Sequence, residues 1–301
     1  MRFLREAALY AGLGAVPVLA MHYAPLGGLL LSPILVASQA AAFLRGGMTM
    51  GTAVALVLGG MLLGLPGATQ VFVSNVALIL LGGCMAFGVG KWGVGFASLC
   101  LACSMITLLM FAGLWVYALQ IGYQSPFAFL AESIVRAGAG VNEASLPEQN
   151  LRAFAAWFGL SFPALLCCTF SWEGFAALAL LVHLGIAKMP QEGLLGIHFS
   201  DAWVWPLLGG GFGLFLIQYE PMKALALNCL LVGVGVFFFR GLCLVLGVLE
   251  RLGLPFALKV AVGVMHALVV PLTAISVFIG LLDVWLDIQG RAKALRFGTE
   301  G

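Results

Sequence analysis

Two ionisable residues stand where ionisable residues are expensive: Arg240, deep in the apolar run Met222 to Leu249, and Glu173, near the middle of Leu151 to Ala187. A central arginine costs a membrane helix about 3 kcal/mol, against a gain of roughly 0.3 to 0.6 kcal/mol for each surrounding leucine, valine or phenylalanine. The run around Arg240 therefore still inserts. Its guanidinium keeps its proton, so it must face a carboxylate, backbone carbonyls or water rather than lipid tails. Glu173 is the simplest partner, and an ion pair between the two is expected. Such a pair either fixes helix register or belongs to a functional site, unless the long segment shifts to carry Glu173 to an interface, and the residue types leave all three open. Asp283 and Lys259 lie nearer segment ends, where charged side chains snorkel to the interface.

Other polar groups at apparent membrane depth are Gln39, Gln70, Asn75, Trp115, Tyr117, Gln120, Trp157 and Asn228. Under the orientation argued below, Gln70, Asn75, Tyr117, Gln120 and Trp157 belong to the outer halves of their segments. They are the candidate lining of a substrate cavity open to the exterior. Aromatic belts account for Trp and Tyr there equally well.

Metal and redox chemistry have weaker signals. His183 and His266 have no His, Cys or carboxylate at i+3 or i+4, so no helix face carries a ligand set. His198 and Asp201, at i and i+3 with Glu192 in the same loop, could take a cation or simply be solvated. Cys100-x-x-Cys103 sits mid-span with no charge beside it to favour a thiolate, which reads as packing. Gly88-x-Gly90-x-x-Gly93 matches a dinucleotide fingerprint but falls between two spans instead of in a strand-turn-helix unit. No nucleophile-elbow, zincin, diphosphate or Walker motif occurs. The sequence therefore assigns no catalytic residue, metal site or cofactor.

The elements that must position these residues are membrane helices. Of 301 residues, 62% are apolar and 9% charged, against about 25% charged in soluble domains. Forty glycines suit close helix packing, because small residues let backbones approach where lipid gives helices no hydrophobic reason to associate. A net charge of +2 without basic runs excludes a nucleic-acid surface. The expected fold is all-α, a polytopic transmembrane helical bundle of about eight spans (range about 8 to 10), since a crossing takes roughly 20 residues. The charged start Met1 to Glu6 and the apolar run Ala7 to Met21 look like a signal peptide but read as a retained first span.

Arg2 and Arg5 place the N-terminus in the cytoplasm, and Arg45, Lys91, Lys188 and Arg251 then fall on the same side as segments alternate. The basic tail Arg291, Lys293, Arg296 argues that both termini are cytoplasmic. Nine crossings would put that tail outside, so either Trp203 to Gln218 is re-entrant, or the last segment folds back near Pro271, or the tail is external despite its charge; the basic residues favour the first two. Between Gly122 and Asn150 the chain leaves the membrane. Ser125-Pro126 caps an amphipathic helix there, and Ser145 to Glu148 reads as a capping box for the next span. That loop could be a lid or a connector.

The chain resembles the YybS-like family of predicted bacterial inner-membrane proteins. The resemblance rests on Asp201-Ala-Trp203-Val-Trp205-Pro206, Ala226-Leu-Asn228, Gly253-Leu-Pro255 and Gly280-Leu-Leu-Asp283-Val-Trp285-Leu-Asp287 before a basic tail. More distantly, residues 1–188 are similar to the six-span S components of energy-coupling-factor vitamin transporters. Those proteins dock on a partner membrane protein through an alanine stripe, and Ala7, Ala11 and Ala15 form one here. Residues 189–301 would then be additional C-terminal membrane helices with a short basic tail.

The resemblance implies a multi-pass protein of the bacterial inner membrane that binds or helps to transport a small solute without being an enzyme. Its partners would be the lipid bilayer, a partner membrane protein and a small-molecule ligand. The alternatives from other classes are a membrane scaffold or assembly partner without a solute, and a membrane-embedded enzyme.

Overall fold

The computed structural model describes residues 2–64, 69–92, 96–139, 148–188, 193–197 and 199–294. The described residues form helices joined by short connections, with no strand among them. The order is α1 (Arg2–Tyr23), α2 (Pro25–Gly64), α3 (Thr69–Trp92), α4 (Phe96–Gln120), α5 (Pro126–Ala139) and α6 (Glu148–His183). There follow two 3₁₀ turns, Gly193–Gly196 and Asp201–Trp203, then α7 (Val204–Leu216), α8 (Glu220–Arg251), α9 (Phe256–Leu268), α10 (Val270–Leu286) and α11 (Ile288–Ala294). The fold is an all-α helical bundle. Several of its helices are long and apolar enough to cross a bilayer, as a multi-pass membrane protein requires.

Helix α2 is a hairpin. At Gly47 the backbone takes φ 66° and ψ −166°, which a residue with a Cβ rarely adopts. In one straight helix Gln39 and Gly51 would lie about 18 Å apart. Instead the Gln39 amide Nε2 donates to the Gly51 carbonyl at 2.9 Å. Gly14 of α1 faces both Ser38 and Leu58, one from each arm. The arms, 25–46 and 48–64, thus run back along each other beside α1.

Length and hydropathy alone give five candidate spans, or six with α9 and α10 taken together. The difference from about eight has visible sources. Leu31–Leu63 enters that count as one stretch although it contains the Gly47 turn, and α7 has only 13 residues.

Helix α6 contains Pro163, which has no N–H to give, and its ladder is interrupted beside it. Asn228 of α8 fills the break. Its Oδ1 accepts from Ala164 N at 2.8 Å, and its Nδ2 donates to the Leu160 carbonyl at 2.7 Å. The surface helix α5 starts as its sequence requires, with the Ser125 Oγ accepting from Ala128 N at 3.2 Å. The expected capping box at 145–148 lies largely outside the described residues.

The C-terminal third is built from short helices leaning on α8. Gly210 and Gly213 of α7 meet Ala226, while Leu207 meets Gly233, so α7 runs antiparallel to α8. Helices α9 and α10 bend by 99° at Val269, just before Pro271. The start of α9 stacks Phe256 on His183 with ring centroids 4.0 Å apart. Beyond α10, Gln289 Nε2 donates to the carbonyls of Leu195 and Ile197, and Leu195 packs on Gly247. Both ends of the pair therefore return to the same end of α8, the one carrying Arg251. The pair thus runs out along α8, bends ahead of Pro271 and comes back.

Candidate functional site

The Arg240 site is assembled from three separate pieces of chain. Arg240 Nε donates to Asp283 Oδ2 at 2.7 Å and Arg240 Nη1 to Asp201 Oδ1 at 2.6 Å. Asp283 is fully buried, and its other oxygen accepts from Gln289 N at 2.7 Å. Asp201 is 62% exposed and lies at the start of the turn that leads into α7. Gly241 and Gly280 make this possible. A Cβ on Gly241 would collide with the Ser276 carbonyl, so α8 and α10 touch backbone to backbone just where Asp283 must reach Arg240.

The expected Arg240 to Glu173 ion pair is not formed. The reason is geometric: α10 folds back alongside α8 and delivers Asp283 to the guanidinium, and the chain ahead of α7 climbs from the Gly247 level to bring in Asp201. Asp283 accordingly does not snorkel to an interface. Asp201, expected as a loop group, reaches Arg240; the other members of that expected loop cluster, His198 and Glu192, lie outside the described residues. Glu173 faces α2 instead. The Ser32 hydroxyl donates to its Oε1 at 2.6 Å, and Oε2 is buried with no hydrogen-bond partner among the described residues.

A cavity of about 490 Å³ opens between α6, α8 and α9. Its wall is apolar, formed by Trp172, Phe175, Ala176 and Ala179 of α6 with Leu242 and Leu246 of α8, and Pro33 of α2 closes one side. Polar groups stand where α6 and α8 end and α9 begins: His183, Glu250 and Lys259. Glu250 is held there by Leu194 N, 3.2 Å from its Oε2. An apolar pocket with a few polar groups on one side is the usual form of a small-molecule site, and the volume is in the usual range. A shallower hollow at the α9–α10 bend is lined by Val234, Val270, Ala274 and Phe278, and Thr273 alone gives it polarity.

The candidate lining of an outer cavity is divided by burial. Asn75 is fully buried, whereas Tyr117, Gln120 and Trp157 are exposed. Tyr117 rests edge-on against Phe129 of the surface helix, as an interfacial belt residue would. The Gln70 side chain lies outside the described ones. Ala7, Ala11 and Ala15 are half-buried against the chain's own core, while α1 exposes Leu4, Leu9, Leu13 and Val16. The alanine stripe is thus used within the bundle.

Among the described residues no group of three or more His, Cys, Asp and Glu could hold a metal ion. Sequence reasoning missed Ser32, Asp201, Asp283 and Gln289 as partners. The signal it had was the small-residue pair Gly241 and Gly280, which marks the helix crossing. No family model, curated protein or solved structure matches the chain.

Proposed function

We propose that the chain is a multi-pass protein of the bacterial cytoplasmic membrane that binds, and helps to move, a small amphipathic molecule held between α6, α8 and α9. The observation that carries this reading is the cavity with an apolar wall and with His183, Glu250 and Lys259 on one side. An apolar tail would lie against Trp172, Phe175 and Leu246, and a polar head would meet the charged groups. The more distant resemblance to S components is in keeping with solute binding. In this proposal, however, the site lies at the basic end of the bundle, placed in the cytoplasmic half by Lys188 and Arg251. Both termini are then cytoplasmic.

Native mass spectrometry of the purified protein tests the reading. The wild type is expected to retain a bound amphiphile that Ala179→Trp, which fills the cavity, releases. Equal occupancy in the two proteins, or none in either, overturns it.

A further inference from the structure

We propose that Glu173 and Ser32 form a proton-binding site behind the wall of the α6–α8–α9 cavity, so that a change of charge on one carboxyl group is linked to occupancy of that cavity. This rests on the cavity as the binding site. Glu173 is 6% exposed and Ser32 is fully buried. An ionised carboxylate accepts hydrogen bonds at both oxygens, at about four lone-pair positions. Here Oε1 has the Ser32 hydroxyl and Oε2 has no partner among the described residues.

Neither a neighbouring cation nor a metal ion neutralises this carboxylate among the described residues. The arginine that could have done so is committed to Asp201 and Asp283. The hairpin α2 offers Arg45, exposed and next to the Gly47 turn; α4 offers Cys103; α5 offers Glu132 and Arg136, paired with each other. Helix α8 offers Lys223, Cys229, Cys243, Glu250 and Arg251 besides Arg240, and α6 itself carries Arg152, Cys167, Cys168 and His183. The α3 side chain of Lys91 lies outside the described ones. None of the described groups bonds to Glu173, whose one partner is Ser32. A metal ion would need further hard ligands, and no such cluster exists among the described residues. One proton on Oε2 removes the charge and supplies an O–H in the same step: carboxylate plus proton gives carboxylic acid, with water at the mouth of the cavity as source and sink.

The link to the cavity is structural. Trp172, next to Glu173, and Ala176, one turn on, line the cavity, as does Pro33, next to Ser32. The α2–α6 contact that the Ser32 to Glu173 hydrogen bond closes is therefore also the back of the binding wall. Pro33 cannot donate to the carbonyl four residues before it, so α2 lacks one helical bond at this point and can adjust there.

Infrared difference spectra of the protein in lipid vesicles, stepped from about pH 5 to about pH 9, test the site. The wild type is expected to lose the carbonyl band of a protonated carboxylic acid as pH rises. Glu173→Gln should lack that band, and Ser32→Ala should keep it at a shifted frequency because the donor to Oε1 is gone. A wild-type change that persists intact in E173Q overturns the proposal; should E173Q not fold, an unshifted band in S32A does so instead.

A fluorescent fatty-acid analogue probes the linkage. Over the same range its affinity should change about tenfold more in wild type than in E173Q, where the probe carboxyl and His183 still titrate but Glu173 is gone. The same pH dependence in both proteins overturns the proton site and leaves the cavity standing. Absence of probe binding in either, with the band lost in E173Q, keeps the proton site but defeats the cavity reading and the linkage with it.

Discussion

The two parts of the bundle handle buried polarity differently. Up to the end of α6 the chain runs in long helices, and its interior polar contacts are mostly neutral: Ser38 to the Leu35 carbonyl, Gln39 to the Gly51 carbonyl, Ser161 to the Trp157 carbonyl. After α6 three helices of 13, 13 and 17 residues lean on α8, and the polar contact at their centre is the charged Asp201–Arg240–Asp283 group. The difference follows from continuity. A full-length helix satisfies its own backbone inside lipid, whereas a broken one presents free N–H and C=O groups at depth and must be pinned by side chains. Charge is concentrated where the helices are broken. Glu173 is the exception on the neutral side.

If that contrast holds, Arg240→Met has the largest effect. It leaves Asp283 buried without its cation, at a cost of about 3 to 5 kcal/mol, read as lost folded yield on size exclusion. Adding Asp283→Asn should recover much of the loss, and adding Glu173→Gln should not; rescue by the second would make Glu173 the partner after all. Next comes Gly280→Ala, whose Cβ would collide with the Phe237 carbonyl. Backbone cannot yield cheaply, so a loss of about 1 to 3 kcal/mol is expected, seen as a lower thermal midpoint.

On the neutral side, Gln39→Leu removes one bond to Gly51 but also a buried Oε1 that has no partner among the described residues. The two nearly cancel, so its midpoint should stay within about 1 kcal/mol of wild type. The smallest effect belongs to the exposed Glu132–Arg136 pair of α5. Hydrogen bonds from Arg136 and then Tyr123 hold the Glu132 carboxyl below its ordinary value of 4.5. The pair's contribution is therefore complete above that value and fades as pH falls through the lower folded one. Glu132→Gln should leave the unfolding of the bundle unchanged at neutral pH, and a clear loss there would show α5 to be more than a surface element.

Much of this architecture was legible before any coordinates. Apolar runs separated by Gly, Pro and charge marked the helices, Ser125-Pro126 marked the start of α5, and a fold-back near Pro271 was one of the paths that the basic tail left open. Arg240 announced that a counter-charge had to exist. The choice of Asp283 over Glu173 was not legible, because both distances depend on whether α9 and α10 cross the bilayer or turn within it. Hydropathy gives both paths the same score. Asn228 likewise read as one polar residue among several until Pro163 on a different helix opened the gap that it fills. Outer-half polar residues are where the sequence points for a cavity, but the walls of the α6–α8–α9 cavity are aliphatic and aromatic side chains, indistinguishable in composition from packing.

The triad also imposes an order of events during synthesis. Asp201 precedes Arg240 by 39 residues and Asp283 follows it by 43. At about 5 to 20 residues per second, Arg240 waits roughly 2 to 9 s after leaving the ribosome's active centre before its second anion is made. Through that interval Asp201 is the only one of its two carboxylates yet synthesised, so the nascent chain carries a provisional counter-ion first and receives the permanent one when α10 arrives.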